Sequence, residues 1–167
     1  NSMYVENGMT NTVVTLEEIL IKQREHWANV VTELLNGQKT THWCWYFFPN
    51  VPGLGKSPEA QYFALEPDAF VEFFTTNSEY CGNILTVLAL TDRAYRANKG
   101  LNLEAVLGEV DALKFKSFVT LVWNTYATSS YDADILPHRV CKILRHSNEV
   151  YGTCEHTGKY CREHFTY

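Results

Sequence analysis

Between Thr41 and Tyr62 the chain reads THWCWYFFPNVPGLGKSPEAQY, and this stretch constrains the fold more than any other. Trp43, Trp45, Tyr46, Phe47 and Phe48 follow one another almost without a break, and each ring buries roughly 150–250 Å² when enclosed. Burial on that scale needs other elements around it, so the block belongs inside a domain or along the wall of a cavity. Pro49, Pro52 and Pro58 then interrupt any long regular element, while Gly53 and Gly55 allow backbone angles and close approaches denied to other residues. The combination predicts the wall and rim of a pocket.

The elements available to enclose it are helices. Thr15 and Glu18 form a capping box, and Leu16, Ile19, Leu20, Trp27, Val30, Val31, Leu34 and Leu35 recur at helical spacing before Asn36 and Gly37 supply the stop. Further helices are predicted from Asp68 to about Thr76 and from about Ser78 to Asn98. A short one follows from Leu103 to Leu107, then one headed by Asp111 with Leu113, Phe115, Phe118, Leu121 and Val122 inward, and a last one over Ala133 to His146. The aromatic block itself is left open between a turn of helix, a short strand and irregular structure packed on helices; the helical segments make the fold class mainly α, a single compact helical domain whose aromatic and Gly-rich segment forms a pocket. With 167 residues, one domain over 15–146 is expected. It is flanked by a flexible N-terminal tail over 1–14 and a C-terminal tail over 147–167 packed on the domain.

Charge and cysteine usage narrow the function classes. A net charge of −5 argues against a broad non-specific grip on nucleic acid, although Lys142, Arg145 and His146 cluster locally. No apolar run approaches the roughly 20 residues that span a bilayer, and the polar, Asn-rich first residues do not read as a signal peptide. The five cysteines form no disulfide framework, which fits a reducing cytoplasm. The expected location is therefore cytoplasmic, with no membrane partner, no nucleic-acid partner and no cofactor; a homo-oligomer is compatible with the sequence.

Two segments carry polar groups that a core does not need. In the first, His42, Trp43, Trp45, Phe48 and Tyr62 offer π faces for a planar ring, and Lys56 and Ser57, beside Gly53 and Gly55, suit an anion. The same rings also read as plain core and the glycines as plain turn, with Trp43 and Phe47 the better core members. GLGKS lacks the first glycine of a P-loop and runs into Pro58. In the second segment, Asp111, Lys114 and Ser117 step by three along a helix and are expected to face the pocket together, Lys114 meeting an anion. The plain alternative is a capping aspartate beside a solvated lysine. Cys154, His156, Cys161 and His164 are zinc-type residues, but their order and spacing do not fit a zinc site, so no metal is expected. Cys44 beside His42 has nothing to orient it as a nucleophile–base pair, and no HExxH or GxSxG is present.

The blocks TELLNGQKTTHWCWYFFPNVPGLGKSPEAQYFAL and LGEVDALKFKSFVTL, the second containing Gly108, Asp111, Lys114, Ser117 and Thr120, resemble the DUF1810 family. This is a bacterial, fungal and phage-borne family sometimes mislabelled calpastatin. The resemblance covers roughly Leu16 to Tyr126 and implies a small, mainly helical fold without a settled activity. The chain departs from the family pattern at Asn50 (usually Gln), Phe118-Val119 (usually Ser-Met) and Val122 (usually Phe). In layout it also resembles the helical NADAR family, which handles ADP-ribose-linked groups, because both join an aromatic-Gly segment to a later Lys-bearing helix. These likenesses and the residues together favour a binder of a nucleotide-type small molecule. An NAD- or ADP-ribose-derived compound or a cyclic signalling nucleotide is held by sequestration, as in a phage-type anti-defence sponge. Two alternatives stand beside it. One is an enzyme that hydrolyses or transfers an ADP-ribosyl or N-glycosyl bond, using Asp111, His42 or Glu59. The other is a protein-interaction module that presents the rings to a partner.

Overall fold

The computed structural model describes residues 13–128 and 138–164, and these fold into helices with no strand among them. The order is α1 Leu16–Leu35, α2 Cys44–Phe47, α3 Pro58–Phe63, α4 Pro67–Thr76, α5 Ser78–Ala97, α6 Leu103–Leu107, α7 Glu109–Thr128, α8 His138–Val150 and α9 Glu155–His164. Of the predicted flexible tail over residues 1–14, residues 1–12 lie outside the described residues, while Val14 is buried in the core; the start of the predicted last helix, residues 133–137, also lies outside them.

The sequence sets four of the helix starts by side-chain capping. The Thr15 hydroxyl accepts the Glu18 N–H at the head of α1. Asn77 caps Tyr80, Asn102 caps Glu104 and Ala105, and Ser57 caps Ala60 ahead of Pro58. Each cap satisfies N–H groups that the first turn leaves without a helical partner. At the end of α1, Gly37 takes φ +84°, a left-handed angle that favours glycine.

α1 packs along α5; α4 and α8 also lean on α5, while α6, α8 and α9 pack on α7. The core between them holds Trp43, Phe47, Phe48, Phe70, Tyr80, Phe115 and Phe118, all nearly inaccessible. Two apolar residues expected inside lie outside: Leu35 is 53% and Leu113 is 62% exposed. At 100° per residue Leu113 stands about 200° from Phe115, so the face that buries Phe115, Phe118 and Val122 turns Leu113 to solvent.

The aromatic block, whose secondary structure the sequence leaves open, forms the single turn α2. Tertiary bonds hold it. Buried Gln23 of α1 donates to the Tyr46 carbonyl at 2.9 Å and accepts from Asn83 of α5 at 2.9 Å. The loop after it is closed at its base, where the Leu65 N–H donates to the Asn50 carbonyl at 2.9 Å. The C-terminal segment, expected as a tail packed on the domain, continues α8 to Val150 and then forms α9. That last helix buries only Thr157, Gly158 and Cys161 against the domain.

Candidate functional site

Two polar assemblies fix the aromatic block before any ligand is considered. In the first, the buried Glu33 carboxylate accepts hydrogen bonds from Thr40 N (2.7 Å), Thr41 N (3.0 Å), Thr41 Oγ1 (2.5 Å) and the indole N–H of Trp43 (3.0 Å). Burial pushes this carboxyl up, but the bonds from Thr41, Thr40 and Trp43 together outweigh burial and hold it below its ordinary value. Trp43 is thereby a core member, 0% exposed and packed edge-on to Phe47 and Phe48.

In the second assembly, Lys39, whose side chain is 4% exposed, pairs with Asp111 of α7 at 2.6 Å. The same ammonium donates to the Thr41 carbonyl at 2.6 Å and lies 4.9 Å from the Trp43 ring centroid. The ion pair ties the head of α7 to the loop before α2. Burial, with the adjoining Asp111, pushes the Cys44 thiol up to about 11, so it is a neutral thiol near pH 7. Its charged neighbours are Asp111, Lys114 and Lys39, while His42 is exposed and tilted toward Trp45 at 6.4 Å. That arrangement does not activate a nucleophile.

Beside these assemblies lies a cleft lined by Trp45, Phe48, Asn50, Val51, Gly53, Gly55, Ala60, Phe63, Ala64 and Lys114. Its free interior is about 20 Å³, and the depression including its open mouth encloses about 370 Å³. The interior therefore admits one water-sized group, and anything larger rests at the mouth. The walls are largely apolar, and Lys114 is their charged member. Lys114 sits with Nζ 5.4 Å from the Trp45 ring centroid and 3.6 Å from Cys44 Sγ. Among the described residues, no carboxylate lies within ion-pair distance of it. The Trp45 indole N–H is buried and is the single buried side-chain polar atom of the described residues without a hydrogen-bond partner. An unmet donor of that kind costs roughly 1–3 kcal/mol, so an acceptor placed there recovers it.

From the mouth, half-buried rings continue outward. Trp45 meets Tyr46 at 5.9 Å, Tyr46 meets Phe63 at 5.0 Å, and Phe63 meets Tyr62 at 5.2 Å. The Gly-rich loop forms the opposite rim. Gly53 takes φ +91°, and a Cβ there would stand 3.2 Å from the His156 ring of α9; a Cβ on Gly55 would stand 2.4 Å from Ala60 Cβ.

Of the residues singled out from sequence, Trp45, Phe48, Gly53, Gly55 and Lys114 meet in this cleft. Tyr62 lies outside its lining, at the end of the ring series, bonded to Glu18. Lys56 and Ser57 are exposed, and the Ser57 hydroxyl is occupied as the cap of α3. The expected triplet separates. Asp111 turns to Lys39, Lys114 to the cleft, and buried Ser117 donates to Cys154 Sγ at 3.0 Å. Each step of three rotates by 300°, so residues six apart stand about 120° apart on the helix.

Asn50 and His156 were not singled out as site residues. The Asn50 amide donates to the Phe48 carbonyl at 3.0 Å and the Lys114 carbonyl at 3.2 Å, joining the loop to α7. His156 Nε2 stands 3.0 Å from the Pro52 carbonyl, buttressing the loop from α9. The Asn-Val-Pro turn hints at the first; nothing local hints at the second. The Cys/His set of the tail does not converge: Cys154 accepts from Ser117 and Thr157, His156 faces Pro52, and His164 bonds the Tyr160 carbonyl. Among the described residues no group of three or more His, Cys, Asp or Glu is placed to hold a metal ion. Among the described residues no helix is long and apolar enough to cross a membrane.

Comparison with known proteins agrees with the fold. A family model described as "Protein of unknown function (DUF1810)" matches residues 14–140. The crystal structure of the conserved hypothetical protein Rv1873 from Mycobacterium tuberculosis is similar, with a TM-score of 0.59 and 26% sequence identity over 66% of this chain and 76% of that one. No curated protein matches the chain.

Proposed function

The chain belongs to the DUF1810 family, and on that footing we propose that it binds a small anionic molecule of nucleotide type and acts by sequestering it. One observation carries the reading. Lys114, an ammonium with no carboxylate within ion-pair distance among the described residues, and the ring of Trp45, whose buried Nε1 lacks a hydrogen-bond partner, line one largely apolar cleft at the end of a series of half-exposed rings. An ammonium whose side-chain partner is the neutral Cys44 thiol suits an anionic tip, and the rings suit a planar base. Sequestration is favoured over catalysis because neither carboxylate nor histidine lines the cleft. Of the acid–base candidates, Asp111 is held by Lys39, and His42 and Glu59 are exposed.

The test is titration with a nucleotide panel of the wild type and of Lys114→Ala. A charge-assisted contact of about 1.5–3 kcal/mol corresponds to roughly 10- to 150-fold weaker binding in the variant. Its melting curve should remain close to wild type, because Lys114 makes no ion pair among the described residues. Equal affinity in the two proteins removes Lys114 from the site.

A further inference from the structure

We infer that the groove between α5 and α8 is a separate binding site, in which the Trp45–Lys114 cleft has no part, and that it takes a small phosphate-bearing anion. The local basic cluster of the sequence, Lys142, Arg145 and His146, is where it begins. On α8, Arg139, Lys142 and His146 fall within about 60° of one another, while Arg145 stands about 100° from His146. The first three line the groove and Arg145 does not; Arg96 joins them from the facing helix α5. The open space they border holds about 550 Å³, against about 20 Å³ inside the cleft. Small-molecule sites span about 300–1,000 Å³.

A buried partner sets the direction of Arg96. The Asp92 carboxylate, its side chain 6% exposed, accepts from Arg96 Nε at 3.0 Å through Oδ2 and from the Tyr151 hydroxyl through Oδ1. Tyr151 is in turn held edge-on between the rings of Tyr95 and Phe115. The bond to Nε restrains the guanidinium plane, and neither terminal nitrogen has a partner among the described residues. Arg96 therefore offers the groove a fork of two nitrogens, the geometry that grips phosphate oxygens in pairs.

Charge points the same way. No carboxylate lies within ion-pair distance of Arg139 or Lys142 among the described residues. Asp92 offsets Arg96. Glu149, the other carboxylate of the lining, has its side chain 83% exposed and stands 3.9 Å from His146. Arg139 and Lys142 are thus left to meet a ligand's charge beside the fork of Arg96. A phosphomonoester brings about two negative charges, on oxygens that take several N–H donors at once. A long polyanion is disfavoured, because the chain carries a net charge of −5 and repels it beyond the groove.

The experiment is isothermal titration of the full chain with inorganic pyrophosphate at one fixed salt concentration, with a melting curve for each variant. Saturable binding is expected. Arg139→Gln and Lys142→Gln should each weaken it about tenfold, the scale of one charge-assisted contact. Arg96→Lys keeps the charge but loses the fork held by Asp92, so it too should weaken binding about tenfold. Lys114→Ala should leave pyrophosphate affinity unchanged, whatever it does to nucleotide binding, so the two sites stand or fall separately. Succinate, a dianion without phosphate, should bind about tenfold or more weakly than pyrophosphate. Sedimentation with vesicles of phosphatidylcholine and phosphatidic acid separates the sources of the phosphate. Vesicle binding that pyrophosphate displaces assigns a lipid headgroup, and pyrophosphate binding alone assigns a soluble phosphate. No saturable pyrophosphate binding, or binding that Arg139→Gln and Lys142→Gln leave intact, overturns the site. Wild-type affinity in Arg96→Lys overturns the oriented fork, and equal affinity for succinate overturns the phosphate assignment.

Discussion

Replacing Glu33 by Gln tests whether the aromatic block is held by the buried carboxylate beneath it. Glu33 Oε1 takes three N–H donors, from Thr40, Thr41 and Trp43, and Oε2 takes the Thr41 hydroxyl. An amide oxygen at the Oε1 position keeps the three N–H bonds but makes them neutral. Hydrogen bonds to a charged group contribute about 1.5–3 kcal/mol and neutral ones about 0.5–1.5, so the swap loses about 1 kcal/mol per bond. Relief of carboxylate burial returns part of that, leaving a net loss of about 1–3 kcal/mol. At about 2–4 °C per kcal/mol for a chain of this length, the melting temperature should fall by roughly 2–12 °C.

The pH dependence separates this cause from general damage. The carboxyl is lower in the folded chain than its ordinary value of 4.5. Its contribution is therefore fully present above about pH 4.5 and lost as pH falls through the folded value. The gap in stability between wild type and Glu33→Gln should be widest near neutrality and close in acid, read by urea denaturation at stepped pH. A gap that is absent, or that stays constant into acid, refutes the reasoning.

How much of this was legible in the sequence follows from where each feature draws its stability. Helix α1 could be read because Thr15 announces its start, and α1 and α5 because apolar residues at helical spacing mark their buried faces. The single turn α2 could not, because it depends on Gln23, 23 residues away. Helix α9 buries Thr157, Gly158 and Cys161, too little apolar surface to leave a stripe. In the candidate site, Trp45 and Lys114 were legible as polar-capable residues in two separate blocks. The unmet indole N–H was not, since only the enclosing atoms decide whether Trp45 finds an acceptor. The step-by-three reading of Asp111, Lys114 and Ser117 overlooked the 60° drift of each step, which sends Ser117 to Cys154 and Asp111 to Lys39.

Two further outcomes are expected. Trp43→Ala should lose about 3–5 kcal/mol of stability in urea denaturation, as a fully buried ring does; a loss below about 1 kcal/mol would contradict its place in the core. Among Cys44, Cys154 and Cys161, iodoacetamide should modify Cys154 first at pH 7.5, read by peptide mass spectrometry. Burial pushes all three thiols up. At Cys154, hydrogen bonds from Ser117, Thr157 and the N–H groups that open α9 outweigh it and hold the thiol below its usual value, whereas Cys44 and Cys161 stand at about 11 and 12. Modification of Cys44 ahead of Cys154 would contradict this order.

The cleft is tested most directly by the indole N–H resonances of Trp27, Trp43, Trp45 and Trp123 in a ¹⁵N-labelled sample titrated with the tightest nucleotide of the panel. Trp45, identified by the signal missing from Trp45→Phe, holds a buried N–H without an acceptor, while Trp43 already donates to Glu33. Binding as described moves the Trp45 resonance downfield in a saturable way and leaves Trp43 nearly still. Saturable binding during which the Trp45 resonance does not move contradicts the assignment of the site.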